Sequence, residues 1–174
     1  GALLVRRGVR LPPLLLGGGQ ERDRRSGTAN VAGIVGFAAA LDATAAERDD
    51  TRARVAGLRD RLGEGLRRAV PGLVETALAA DDRGGRLPGI CHVCIPGVDS
   101  ESLLFLAETD GVYAAAAASC ASGAQQSSHV LSAMGVDPAL AAGALRLSLG
   151  WDSTGADVDL ALEVLPTAIE RVRS

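Results

Sequence analysis

Apolar residues recur every three or four positions through "TRARVAGLRDRLGEGLRRAV". Val55, Leu58, Leu62 and Leu66 fall on one side of a helix, and arginines and acids fill the rest. The pattern predicts a charged amphipathic helix over "AERDDTRARVAGLRDRLGEGLRRAV" that Pro71-Gly72 stops. Upstream, "ANVAGIVGFAAAL" predicts a separate apolar helix with Thr28 as its N-cap. Beyond Gly72 the period shortens to two. "LVETALAA", "ICHVCI" and "ALRLSLG" predict strands, the first two separated by the turn-forming "DDRGGRLPG".

Between and after these strands, "SESLLFLAETDG" predicts a helix capped by Asp99 or Ser100 and stopped at Gly111. "SSHVLSAMG" and "DPALAAG" predict short helices, the second capped by Asp137 with Pro138 in its first turn. The tail "STGADVDLALEVLPTAIERV" predicts an amphipathic helix kinked near Pro166. "VYAAAAA" is ambiguous: alanine favours helix, but its place after a helix stop favours strand. At the start, "GALLVRRGV" predicts a short strand and "LPPLLLGGGQERDRRSGT" a loop. Helix pairs leading into a small, mostly antiparallel sheet covered by helices define an α+β fold.

Composition narrows the function. A net charge of −3 argues against nucleic acid or an anionic membrane as partner, and 2% aromatic residues argue against base-stacking platforms. No stretch has the length and apolarity of a membrane span: the uncharged run from Gly111 to Val136 holds Gln125, Gln126, His129 and several serines. Three cysteines do not make a disulfide framework, which points to a reducing, cytoplasmic compartment. The N-terminal stretch lacks the order of a signal peptide. The chain opens at Gly1 with Met134 as its only methionine, as expected of a fragment or processed product. All 18 basic residues are arginine, so no lysine of this chain can form a Schiff base.

Four features carry candidate chemistry. Cys91 and Cys94 have C-x-x-C spacing, but on a strand residues three apart face opposite ways, so no metal site is expected and His92 reads as an ordinary strand residue. "GGGQERDRRSGT" leads a glycine loop with Arg22, Arg24 and Arg25 into a helix start, a recipe for either an anion site or a simple capped helix. It fits neither a Walker loop nor G-x-G-x-x-G. Arg146 interrupts an alternating apolar strand, where it is either ion-paired, on an edge, or a bidentate clamp for a carboxylate. Cys120 lies among alanines, serines and glycines, either incidental or meant to be reached.

Taken together, these stretches resemble the pyridoxal-phosphate cysteine desulfurases, within the class-V aminotransferases of fold type I. "GGGQERDRRSGTANVAGIVGFAAAL" is similar to that family's G-G-G-Q-E-R-x-x-R-S-G-T-x-N signature. "LPGICHVCIPGVDSESLLFLAETDGV", "SCASGAQQSSHVLSAMG" and "LRLSLGWDSTGADVDLALEVLPTAIERV" resemble the segments that follow it. The resemblance implies a C-terminal portion: residues 1–30 as a remnant of the large cofactor domain, and 31–174 as linking helices and the small domain. It further implies that L-cysteine is converted to L-alanine, with sulfur carried as persulfide on Cys120 to an acceptor or scaffold protein for iron–sulfur, thio-cofactor or thiolated-tRNA synthesis.

By the same resemblance Arg146 binds the substrate carboxylate. Thr28 reaches across a homodimer to the neighbour's cofactor phosphate. The Schiff-base lysine, ring-stacking histidine and pyridine aspartate of the family have no counterpart in this chain, so the chain alone is expected to be inactive. "AAAAAS" before Cys120, Asp23, and "AQQSSH" without a proline depart from the family pattern. Two other readings are a stand-alone or split sulfur-acceptor module and a selenocysteine lyase. Arg146, which a mere acceptor does not need, argues against the first. The small-residue cysteine loop argues against the second.

Overall fold

Prolines and glycines keep the chain ahead of Asn30 almost without regular structure. The exception is one turn, α1 (Gln20–Asp23), whose Glu21, Arg22 and Asp23 have left-handed φ of 52, 56 and 62°. The structure, a computed structural model, describes residues 1–76, 86–116 and 128–174. It divides into two units, Gly1–Arg48 and Asp49–Ser174. The segment expected as an opening strand is irregular, with a turn at Arg7-Gly8. A strand persists only where another strand completes its hydrogen-bond ladder, and among the described residues of this unit none does.

Helix α2 (Val31–Ala69) replaces the two helices predicted over the same residues. The intervening "DATA" holds no proline or glycine, so nothing interrupts propagation of intrahelical bonds. Asn30, not Thr28, is the cap: its Oδ1 accepts the Gly33 amide at 2.9 Å.

In the second unit four strands form one antiparallel sheet: β1 (Val74–Glu75), β2 (Ile90–Cys94), β3 (Ala115–Ala116) and β4 (Ala144–Ser148), in the order β1-β2-β4-β3. Helices α3 (Ser100–Thr109), α4 (His129–Ala133), α5 (Pro138–Ala141) and α6 (Gly155–Arg173) complete it. Local chemistry explains where they begin. Asp99 accepts the Ser102 amide at 2.9 Å, Asp137 accepts that of Ala139 at 2.8 Å, and Thr154 with Asp157 forms a reciprocal capping box. Helix α6 runs through Pro166 as one helix.

Alternation along β2 and β4 gives the sheet two unlike faces. Cys91, Val93, Leu145 and Leu147 face a core made with Leu66 of α2, Leu103 of α3, and Leu165 and Ile169 of α6. Each such leucine or isoleucine contributes roughly 1.5–3 kcal/mol by leaving water. Among the described residues the opposite face is covered only at one end, where Cys94 and Ala144 meet Leu131 of α4 and Ala141 of α5.

A buried ion network ties α2 to the sheet edge. Glu75 is buried and pairs with Arg67 Nη1 at 2.7 Å and with Arg86. Arg59, also buried, donates to the Leu87 carbonyl at 2.9 Å. Gly63 lets the helix sit over this carboxylate, since a Cβ there would lie 2.8 Å from Glu75 Oε2. Glu75→Gln is expected to lower stability by about 1–3 kcal/mol, because it leaves Arg67 without its counter-charge and Arg86 with Asp60 alone. Urea unfolding checks this; a loss below about 1 kcal/mol would show that the network is replaceable.

Candidate functional site

The glycine loop of the first unit is organised by its own side chains. Gly27 N donates to Gln20 Oε1 at 3.0 Å, and Ser26 N donates to the Leu15 carbonyl at 3.1 Å. Arg25 Nη1 is held by the carbonyls of Gly27 and Thr28, at 3.2 and 3.1 Å, which corrects its expected part in a free basic cluster. At the start of α2 the Val31 amide is bonded to Ala29 O and the Gly33 amide to Asn30, so two of the first three helix amides are already satisfied. Thr28 is exposed, and its hydroxyl has no partner among the described residues. A hydroxyl in that position can still meet an anion; the helix start offers little more.

Arg146 lies in the second unit, near the middle of β4. This strand is internal to the sheet, so the edge-position account of the charge does not apply. Nor is there an ion pair: Arg146 is exposed, and no carboxylate among the described residues reaches it. Its charge stands on the part of the face that α4 and α5 leave open. On one flank it pairs in register with His92, on the other with Ala115, whose methyl group is too small to cover it.

His92 is half-buried, and its Nδ1 is 2.6 Å from Thr76 Oγ1. Burial first, and the neighbouring Arg146 charge second, hold this imidazole below its ordinary pKa, so the ring is neutral at pH 7. Nothing along the chain points to this group beyond the alternation that sets His92 and Cys94 on one face. The partners come from strands far apart in the chain.

The thiols separate as strand geometry requires. Cys91 and Cys94 are both fully buried, on opposite faces of the sheet. Burial, aided by the Glu75 charge, pushes Cys91 up to about 12, and burial alone raises Cys94. Neither is a nucleophile at neutral pH. Cys120 lies outside the described residues. Thr28 and Arg146 belong to different units.

The second unit is an α+β scaffold whose antiparallel sheet is covered by helices on one face and carries the exposed Arg146 guanidinium on the other. The chain belongs to the aminotransferase class-V family, whose sequence profile matches residues 1–161. It is 47% identical over 173 residues to the IscS-like cysteine desulfurase of Mycobacterium tuberculosis, covering 99% of this chain and 43% of that protein. It is 42% identical over 174 residues to the cysteine desulfurase IscS of Methanosarcina thermophila, covering 100% of this chain and 42% of the relative. A solved NifS-like protein superposes with a TM-score of 0.77 at 34% identity, covering 96% of this chain and 41% of that one. The chain thus spans less than half the length of these relatives.

Membership in this family implies the use of pyridoxal phosphate. The residues present do not make a complete site for it. All 174 residues lack a lysine amine for the aldehyde, Arg25 is held on backbone carbonyls, and two of the first three amides of α2 are internally bonded. Among the described residues, no helix is long and apolar enough to cross a membrane.

Proposed function

We propose that this chain is the sulfur-accepting, carboxylate-binding part of a cysteine desulfurase. The observation that carries the proposal is Arg146: a guanidinium on an internal strand, exposed, and without a carboxylate partner among the described residues. A protein gains nothing in stability from such a charge, whereas a planar fork of donors suits the carboxylate of an amino-acid substrate.

The proposed reaction balances without an outside oxidant. The C–S bond of L-cysteine breaks, its sulfur joins the Cys120 thiolate as a persulfide, and the electron pair left on carbon takes a proton to give L-alanine. Cys120 then passes the sulfur to the thiol of an acceptor or scaffold protein. A thiolate in this role must stay reduced between turnovers, which suits the cytoplasm. Thr28 contributes its hydroxyl to the cofactor phosphate of a second protomer in a homodimer. The cofactor-attaching lysine is supplied from outside residues 1–174, with residues 1–30 forming the edge of the cofactor domain.

A chimera tests this directly. Residues 1–174, replacing the matching region of the Mycobacterium tuberculosis relative, should restore release of alanine from cysteine. Cys120→Ser should abolish it, and Arg146→Ala should raise KM for cysteine about 100-fold, the loss of a bidentate charged contact. The 174-residue chain alone should remain colourless with pyridoxal phosphate and release no alanine. An inactive chimera whose Cys120 still takes sulfur from glutathione persulfide would replace this proposal with a stand-alone acceptor module.

A further inference from the structure

One transverse row crosses β2, β4 and β3 and continues to Thr76, the residue just after β1. The register that pairs Glu75 with Val93 places Thr76 beside His92; His92 pairs with Arg146, and Arg146 with Ala115. Directly opposed residues share a face, so Thr76, His92, Arg146 and Ala115 all stand on the open side. Thr76 N already donates to the His92 carbonyl at 2.9 Å. Its hydroxyl is 2.6 Å from Nδ1 and 3.3 Å from that carbonyl oxygen, and when it donates along the shorter contact the ring nitrogen is the acceptor. A neutral imidazole that accepts at Nδ1 carries its own proton on Nε2. In that tautomer two donor-only groups stand side by side, one charged and one neutral, with no acceptor for either among the described residues.

We propose that His92 is a positioning residue of the carboxylate site: Thr76 fixes its ring so that Nε2–H and the Arg146 guanidinium bind one carboxylate together. This rests on the carboxylate-clamp reading of Arg146 and adds a second contact to it. A lone guanidinium on an exposed strand can tilt about its long stem. A second donor fixed by the neighbouring strand selects one orientation of the bound carboxylate, and so of the amino acid behind it. The ring's neutrality also matters, because a second positive charge beside Arg146 would repel the guanidinium.

The test uses the 15N-labelled chain titrated with propionate, which keeps the carboxylate and carbon skeleton of alanine and lacks its amine. Propionate should shift the His92 Nε2 and Arg146 Nε resonances together and saturably, and the free chain should show His92 protonated at Nε2. His92→Leu should weaken propionate binding about 10-fold, the usual size of one hydrogen bond to a charged group. His92→Asn, which restores an N–H donor and keeps the site polar if leucine disturbs the strand, should bind within about threefold of the parent. Arg146→Gln should bind no propionate. If His92→Leu binds as the parent does while Arg146→Gln does not, or if His92→Asn is no better than His92→Leu, the role of His92 is overturned and the clamp stands. Protonation at Nδ1 would overturn it as well. If Arg146→Gln binds normally, or chloride moves both resonances equally, the clamp falls and the pairing with it.

Discussion

Replacing Gly143 with alanine is expected to destabilise the second unit by more than about 3 kcal/mol, at the severe end of overpacking effects. A Cβ at this position would lie 2.0 Å from the Ile95 carbonyl oxygen and 3.1 Å from that of Val98. Both neighbours are backbone, and neither can rotate away. Moreover, the Ile95 amide donates to the Gly143 carbonyl at 3.0 Å, so moving one chain breaks the bond that aligns the other. The consequence reaches the site, because Gly143 leads directly into the strand that carries Arg146. Gly135→Ala is the matched control. Its φ of 75° is strained for alanine, but nothing lies within 4 Å of the added carbon. It should cost only about 1–2 kcal/mol. Urea midpoints of the two variants make the comparison, and a Gly143→Ala chain as stable as Gly135→Ala would contradict the packing argument.

Above pH 9 the chain should lose stability by about 1.4 kcal/mol per pH unit through Cys91 alone. The folded thiol keeps its proton up to about 12, against 9.0 for an unperturbed one. Between these values the unfolded chain binds fewer protons than the folded one, so rising pH favours unfolding. Below pH 9 the contribution is complete and flat. The loss sums to about 4 kcal/mol across the window, enough to unfold a marginal domain. Stability measured at pH 8, 9, 10 and 11 for the parent and for Cys91→Ala checks it, since only the parent should show the added slope.

The same burial sets the order of thiol labelling at pH 7. Thiolate at Cys91 is on the order of 10⁻⁵ of the population, so reagent reaches it only through unfolding. Cys120 should react at least about 100-fold sooner if it is the thiol that visits substrate and acceptor. Equal rates for the three cysteines would remove that assignment.

Local chemistry made much of the fold legible. Asp99, Asp137 and Thr154 cap helices because their side chains reach amides only two or three residues away. The alternation of "ICHVCI" and "ALRLSLG" gave their strands and put Cys91 and Cys94 on opposite faces, since the side-chain period of a strand is fixed by its backbone. Two expectations failed where a local signal met a longer-range condition. "GALLVRRGV" has the composition of a strand but no partner strand among the described residues of its unit. Thr28 has the chemistry of an N-cap, but Asn30 stands directly before α2, three residues from Gly33, and takes that amide.

Sequence by itself therefore determined the α+β class, most element positions, the absence of lysine, the resemblance to cysteine desulfurases, and the choice of Arg146 as a residue to explain. Tertiary structure decided what surrounds that residue. Strand order made β4 internal, register set His92 beside the guanidinium, and Thr76, just after β1, came within 2.6 Å of the ring. Among the described residues, a helix, a strand and two short helices separate His92 from Arg146 in the chain. Periodicity reports only which face a residue takes along its own strand. Which residue stands opposite it depends on how distant segments bury their apolar faces together, and that is a property of the packed chain.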